Sequence, residues 1–497
     1  MLAYHRRVTA TLPPIPDRPR GRSSEPNRTG VRLERRPDLD RLTPIDVAEA
    51  FRDWPGLALL ESARPGRRSR WTFLTADPAA VLETATRGSD PFAGSRRLLG
   101  RLDPGRIDVA DAGSAPPFLG GLVGFLGYDL GHALERLPTI APDDQGLPLL
   151  RLALHDWTIA WDRRDGRAWL AGRALDGDRS RLEHRLADVR QRLDRRLAGT
   201  PTAAERGDGL IFRSSLDQAS YEAGVDAIRA AIARGDVYQA NLTRRLETSF
   251  RGDPWPLYRA LRTGDPSLFA GYLDLGIGAG DATGPGGARA IVSASPEPFL
   301  AVDRDGRLAS DPIKGTRPRG RTPEEDRALA RELLASVKDR AENVMIVDVL
   351  RNDLGRVCQP GTVRVPRLCR LERTAAVQHL VSTVTGQLAA GRDAFDLLAA
   401  SFPGGSITGA PKIRSMEILE ELEPVRRGPY TGAALWLGPD GALGSSILIR
   451  TFVADGRRLS LSVGGGITWR SDPAEEWDET VAKAAGPLRA IGGREAH

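Results

Sequence analysis

Asp311-Pro-Ile-Lys-Gly-Thr316 holds one of only four lysines in a chain of 497 residues. The others are Lys338, Lys412 and Lys483, so arginine supplies 67 of the 71 basic side chains. Arginine keeps its charge at any working pH, whereas a desolvated lysine can lose its proton and act as nucleophile or base. Lys314 lies between a proline and a Gly-Thr pair, a sharp turn able to aim its amine into a cleft. A turn lysine is ordinarily a solvated surface group, so the weight falls on what surrounds this stretch.

Just upstream, Ile291-Val-Ser-Ala-Ser-Pro-Glu297 reads as a strand ending at Glu297. Downstream, Thr322-Pro-Glu-Glu325 is a capping box with proline at the first helical position. The helix it opens is expected to bury Leu329, Leu333, Val337, Ala341 and Val344 on one face, with Glu342 beside that stripe. Ser220 to Arg234 is a second helix, stopped by Gly235, and 236–243 follows as a strand. Phe402-Pro-Gly-Gly-Ser-Ile-Thr-Gly-Ala-Pro-Lys412 is a glycine-rich turn leading into a helix with Pro411 at its first position. Its spacing is not that of a Walker loop. Asp472-Pro473 starts a C-terminal helix on which Glu476, Glu479 and Lys483 fall at i, i+3 and i+7, on one face. Ser462-Val-Gly-Gly-Gly466 precedes it, a backbone free to turn N–H groups towards an anion. An ordinary solvated Glu/Lys face has the same spacing, so the pattern alone does not settle its use.

The N-terminal half is plainer. Leu57–Ser62 and Arg70–Thr75 read as strands, Phe118–Tyr128 as a buried glycine-rich strand, and 150–154 and 157–161 as two more. Residues 179–199 are a charged helix, and 201–209 is the best linker. Residues 1–40, rich in Arg and Pro, read as a disordered extension. That divides the chain into 1–40, a region 41–200, the linker, and a domain 210–490.

Composition narrows the function classes. With 40% apolar and 27% charged residues the chain reads as globular, and no run approaches a membrane span. A net charge of +6 without a clustered aromatic-basic patch argues against nucleic-acid binding. Cys358 and Cys369 make neither a disulfide framework nor a zinc site, and two buried reduced thiols in a cytoplasmic protein are expected.

Together these stretches resemble the chorismate-utilising enzymes, which include anthranilate synthase component I, aminodeoxychorismate synthase component I, and the isochorismate and salicylate synthases. The matching segments are 235–243, 295–299, 312–320, 341–342, 348–355, 378–382, 402–412, 428–432, 449–451 and 464–483. They cover essentially all of residues 215–487 in family order. Leu59-Leu-Glu-Ser62 and 118–128 match the family's N-terminal region more weakly. The resemblance implies an α+β fold, two large β-sheets packed as a sandwich and flanked by helices, with the active site in a cleft. It implies that Glu342 and Glu479, with Glu476 beside them, hold Mg2+. Tyr430, Arg450, Lys483 and the Gly464, Gly465 and Gly466 backbone would bind the carboxylates of chorismate. Gly315, Thr316 and Thr408 would line the same pocket. Glu297 corresponds to the general acid that assists the leaving hydroxyl, and His379 to an active-site histidine. Glu61 and Ser62 fall where some members bind tryptophan.

Within the family, Lys314 points to a branch. Anthranilate synthases generally have alanine there, and aminodeoxychorismate synthases lysine, so the resemblance is nearest to component I of the latter. A lysine amine can attack C2 as the C4 hydroxyl leaves. Ammonia then attacks C4 and expels the lysine. Water-using members have a lysine base where this chain has Gln239, whose amide cannot act as one. No glutamine amidotransferase module is recognisable, so ammonia is expected from a separate subunit. Release of 4-aminobenzoate is expected to need a further lyase. Anthranilate synthase component I and a non-catalytic chorismate-binding protein are the alternatives.

Overall fold

Alternation along the strand Ala58–Glu61 sets up the layers of the molecule. Leu59 enters one buried cluster, while Ala58 and Leu60 enter another. In a strand successive side chains leave opposite faces, so this strand is covered on both. In the computed structural model, residues 30–496 are described, apart from 64–68, 85–89, 107–114, 197–208, 279–285 and 374–376.

The described strands form two sheets of thirteen and ten strands. Sheet I runs from Val31–Arg35 at one edge, through Ala58–Glu61 and Phe269–Ile277, to Arg458–Ile467, Gln239–Ser249 and the last short strand Gly493–Glu495. Sheet II runs from Ile313–Pro318 and Val377–Gln387, through Ala433–Leu437 and Gly121–Leu126, to Ala80–Thr84. The layer between the sheets takes Ala58, Phe73, Leu273 and Val453 from sheet I and Val123, Phe125 and Ala434 from sheet II. The helices Arg179–Arg196, Trp255–Gly264 and Pro473–Ala490 cover the outside of sheet I, burying Leu186, Tyr258 and Leu488. Ala93–Leu99, Val337–Gly355 and Ala394–Ser401 cover sheet II through Leu98, Leu350 and Leu398. This is the expected two-sheet α+β sandwich.

Several local expectations need correction. Residues 31–35, placed by the sequence in a disordered extension, are a sheet I edge strand paired with Arg167–Arg173. Val31 packs on Leu119 and Ala171, and Leu39 is fully buried. The charged residues between them masked this one-sided pattern. Residues 1–29 and the linker residues 201–208 lie outside the described residues. The helix opened at Thr322 breaks at Ser336, whose extended backbone ends Pro323–Ala335 and caps Val337–Gly355. The second helix therefore buries Asn343, Ile346, Val347 and Leu350, and Val337, Ala341 and Val344 are exposed. Only half the capping box forms: Thr322 accepts from Glu325 N–H, but the Glu325 carboxylate takes Arg321 N–H. Pro411 is the cap of the helix Lys412–Leu422 rather than its first residue. The run 464–466 is paired strand, with Gly464, Gly465 and Gly466 opposite Thr243, Leu242 and Asn241.

Candidate active site

The strand carrying Lys314 is the local cause of the site. Ile313–Pro318 pairs with Val377–Gln387, and its register slips between Lys314 and Thr316. Gly315 is the extra residue, at φ +74°, a conformation that favours glycine. A Cβ there would lie 2.9 Å from both Asp339 and Leu333. The bulge presents Lys314 to a carbonyl of the short helix Gly405–Thr408 across the cleft, and Nζ donates to Ser406 O at 3.1 Å. Asn241 Nδ2 donates to the same carbonyl at 2.7 Å, and Gln239 Nε2 donates to Asn241 Oδ1 at 2.8 Å. On the neighbouring strand His379 Nδ1 meets Thr316 Oγ1 at 2.9 Å.

Four glutamates face this lysine or one another. Burial pushes the Glu297 carboxyl above the ordinary range, against the pull of Lys314 and a hydrogen bond from Ser406. Burial also raises Glu342, although Lys314 and Lys338 pull it back, and Glu476 adds to the rise. Glu476 is raised by burial against the hydrogen bond from Ser471 Oγ at 2.6 Å, with neighbouring Glu479 raising it further. Burial opposes ionisation of Glu479 too. Lys483, helped by Lys338 and Lys314, outweighs it and holds that carboxyl below its usual range. Lys483 Nζ is 2.7 Å from Glu479 Oε1 and also donates to Gly464 O at 2.7 Å. The glycines serve close approach here: a Cβ on Gly465 would lie 2.8 Å from Glu476 Oε2, and one on Gly466 2.2 Å from Gln239 Nε2.

Lys314, Glu297, Glu342, Glu476, Glu479 and Lys483 are thus one electrostatic unit, drawn from a sheet II strand, the link after Ser295, and the helices Val337–Gly355 and Pro473–Ala490. Tyr430 is buried, which raises its hydroxyl, and it acts on Tyr221, which also senses Glu476 and Glu479. Four expected residues make their contacts outside this unit. Thr408 is buried and its hydroxyl donates to Gly404 O at 3.0 Å, within its own turn. Arg450, at φ +50°, lies 3.8 Å from Asp265. Glu61 and Ser62 line a separate cavity of about 1050 Å³ between the sheets. The Glu61 carboxylate itself turns to the opposite face of its strand, towards the helix Trp255–Gly264, where Arg262 grips it through two 2.6 Å hydrogen bonds and Tyr258 donates to it at 3.2 Å.

Sequence reading missed Lys338, Ser406, Asn241, Ser471 and Tyr221. Ser406 acts through a carbonyl, which no residue type betrays. Lys338 did carry a signal, being a scarce lysine one helical turn before Glu342.

The carboxylates offer only oxygen, the donor a hard divalent cation takes, and Mg2+ needs only one or two with water completing its shell. The donor chemistry therefore fits Mg2+. Among the described residues no group of three or more metal-ligating side chains is already gathered around one point. Instead, Lys338 and Lys483 pair with two of the carboxylates.

This fold and cleft have known counterparts. Residues 58–489 match the chorismate binding enzymes, and the chain belongs to that family. It is 42% identical over 444 residues to anthranilate synthase component 1 of Thermus thermophilus, covering 87% of this chain and 91% of that one. It is 41% identical over 367 residues to aminodeoxychorismate synthase component 1 of Klebsiella aerogenes, covering 74% of this chain and 76% of that one. The crystal structure of anthranilate synthase component I from Streptococcus pneumoniae superposes with a TM-score of 0.73 at 28% identity, covering 85% of this chain and 93% of that one. The chain is a chorismate-utilising enzyme. Among the described residues no helix is long and apolar enough to cross a membrane.

Proposed function

We propose that this chain is the synthase component of a two-component enzyme that aminates chorismate at C4, giving 4-amino-4-deoxychorismate on the route to 4-aminobenzoate and folate. The observation that carries this reading is Lys314, set on a bulge against Ser406 O and within the field of Glu297. A lysine ammonium must lose a proton before it attacks. Glu297, whose carboxyl is pushed up by burial, takes that proton as carboxylate. Lys314 then bonds to C2, the ring double bonds shift, and the C4 hydroxyl leaves as water with the proton from Glu297. Ammonia bonds to C4 and the C2–Nζ bond breaks, returning the amine. His379 and Thr316 hold the wall beside Lys314. Lys483, Tyr430 and Arg450 receive the substrate's carboxylates, and Gly315 and the 464–466 backbone let them approach. Glu342, Glu479 and Glu476 would hold Mg2+, which supplies fixed positive charge for a carboxylate of chorismate.

Both curated relatives are named component 1, so we take ammonia to come from a separate glutamine amidotransferase. A separate lyase completes the route, all in the cytoplasm. Glu61 is saturated by Arg262 and Tyr258. A tryptophan in that cavity would therefore have to bind through Ser62 and the apolar walls. The relatives also favour a second reading, anthranilate synthesis, since that activity is named at equal identity over more of the chain. Product analysis separates the two. The purified chain, given chorismate, Mg2+ and ammonium at mildly alkaline pH, should form 4-amino-4-deoxychorismate by mass-resolved chromatography. The Lys314→Ala variant should lose that product by ~10³-fold or more. Anthranilate from the wild type, or an unimpaired Lys314→Ala enzyme, would sink the covalent role of Lys314.

A further inference from the structure

Three of the chain's four lysines meet in the cleft, and the chemistry above employs only two of them. The third, Lys338, is held differently from every other lysine. Lys314 donates to Ser406 O, Lys412 to Asp353 and Ser401 O, and Lys483 to Gly464 O. The Lys338 ammonium makes no hydrogen bond among the described residues. Its partner is Glu476 Oε1 at 3.8 Å, an ion pair without hydrogen-bond contact. The two ends of that pair differ. The Lys338 side chain is 44% exposed, while that of Glu476 is 5% exposed and takes the Ser471 hydroxyl as well. Lys338 sits in the first turn of Val337–Gly355, and its partner is on Pro473–Ala490, so the pair bridges the two helices that carry the carboxylates. Its charge reaches all three: Glu342, Glu476 and Glu479.

We propose that Lys338 is a displaceable counter-ion. It partly offsets the charge of the three carboxylates while no divalent cation is present, and a divalent cation must push it aside to bind. A long flexible side chain anchored by charge alone gives way at low cost. A hydrogen-bonded lysine such as Lys483 does not. Lys338 therefore weakens metal binding to the substrate-free enzyme. The penalty shrinks when a dianionic substrate enters, because both cations then have an anion to face. This inference rests on the reading of Glu342, Glu476 and Glu479 as the metal's carboxylates.

The test is a titration of the full chain with Mn2+, without chorismate, following the electron paramagnetic resonance of the free ion. Lys338→Met keeps the side chain's length and removes its charge. It should bind Mn2+ about three- to tenfold more tightly, between the worth of an exposed pair and of one with a buried partner. Lys338→Arg should stay within about twofold of the wild type. Unchanged or weaker binding by a Lys338→Met protein with wild-type thermal unfolding overturns the inference. Glu342→Gln and Glu479→Gln in the same titration separate the two levels. If they abolish binding while Lys338→Met changes nothing, the counter-ion role alone falls. If they leave Mn2+ binding intact, or the wild type binds none, the metal reading falls and the counter-ion role with it.

Discussion

Glu342 shows what the site costs the fold. Its carboxyl is pushed above the ordinary range by burial, and the nearby lysines only partly restore it. A folded-state pKa above the unfolded one means that the folded chain binds more protons in that window. Stability from this group is then present below the unfolded pKa and lost as pH rises through the folded one. At pH 8 the ionised carboxylate is a net liability to folding. Glu342→Gln should therefore raise the melting temperature by ~1–3 °C at pH 8, and the gain should shrink towards pH 5. A melting temperature that falls equally at both pH values would show that the carboxylate is held by partners and carries no such strain. At this scale the sequence was informative wherever side-chain type carries the chemistry. Lys314, Glu479 and Lys483 could be singled out as rare or periodic residues, and Glu297 by its match to a family motif. Ser406 could not, because its contribution is a carbonyl whose aim depends on Asn241 across the cleft.

At the scale of single elements, the turn around Lys314 was legible as a sharp one, but its form was not. It is a bulge in a paired strand, and the extra residue is Gly315. Gly315→Ala asks a side chain to sit at φ +74° and to meet Asp339 and Leu333 at 2.9 Å. The left-handed backbone alone costs about 1–2 kcal/mol, and Asp339 is already tied to Arg317 at 3.3 Å and receives little room to move. We expect a loss of about 2 kcal/mol or more in urea unfolding, with a fall in turnover as Lys314 shifts. A cost under about 0.5 kcal/mol would mean that the bulge relaxes without effect. The break at Ser336 was illegible for a related reason. Val337, Ala341 and Val344 continue the apolar period of Leu333, and periodicity cannot see an axis change. The Ser336 hydroxyl, accepting from Asp339 N–H at 3.2 Å, is the cap that starts a new helix with a new buried face. That change of face turns Lys338 and Glu342 towards the C-terminal helix.

For the whole molecule, the architecture came from the resemblance to the chorismate-utilising enzymes and not from composition or periodicity, and both sheets run across the division into regions 41–200 and 210–490. In sheet I the strand Ala58–Glu61 pairs with Phe269–Ile277 through Ala58–Leu273 to Glu61–Ala270. In sheet II Gly121–Leu126 pairs with Ala433–Leu437 through Leu122–Leu437 to Leu126–Ala433. The N-terminal region is therefore one end of both sheets, and the layer between them is shared, with Phe73 and Phe118 against Trp436 at ring separations of 5.3 and 5.5 Å. Such long-range pairings leave no trace in local sequence, which is why a linker suggested two units. A fragment of residues 210–497 would expose two unpaired central strands and the apolar face carrying Leu273, Ile291, Ala434 and Trp436. Open strand edges beside apolar surface associate. The fragment should be insoluble or run as aggregates in size-exclusion chromatography. Co-expression with residues 30–200 should restore a soluble complex by rebuilding both ladders. A monomeric, cooperatively unfolding 210–497 fragment would show instead that the catalytic region closes its own core, and the shared sheets would then be a docking of two finished domains.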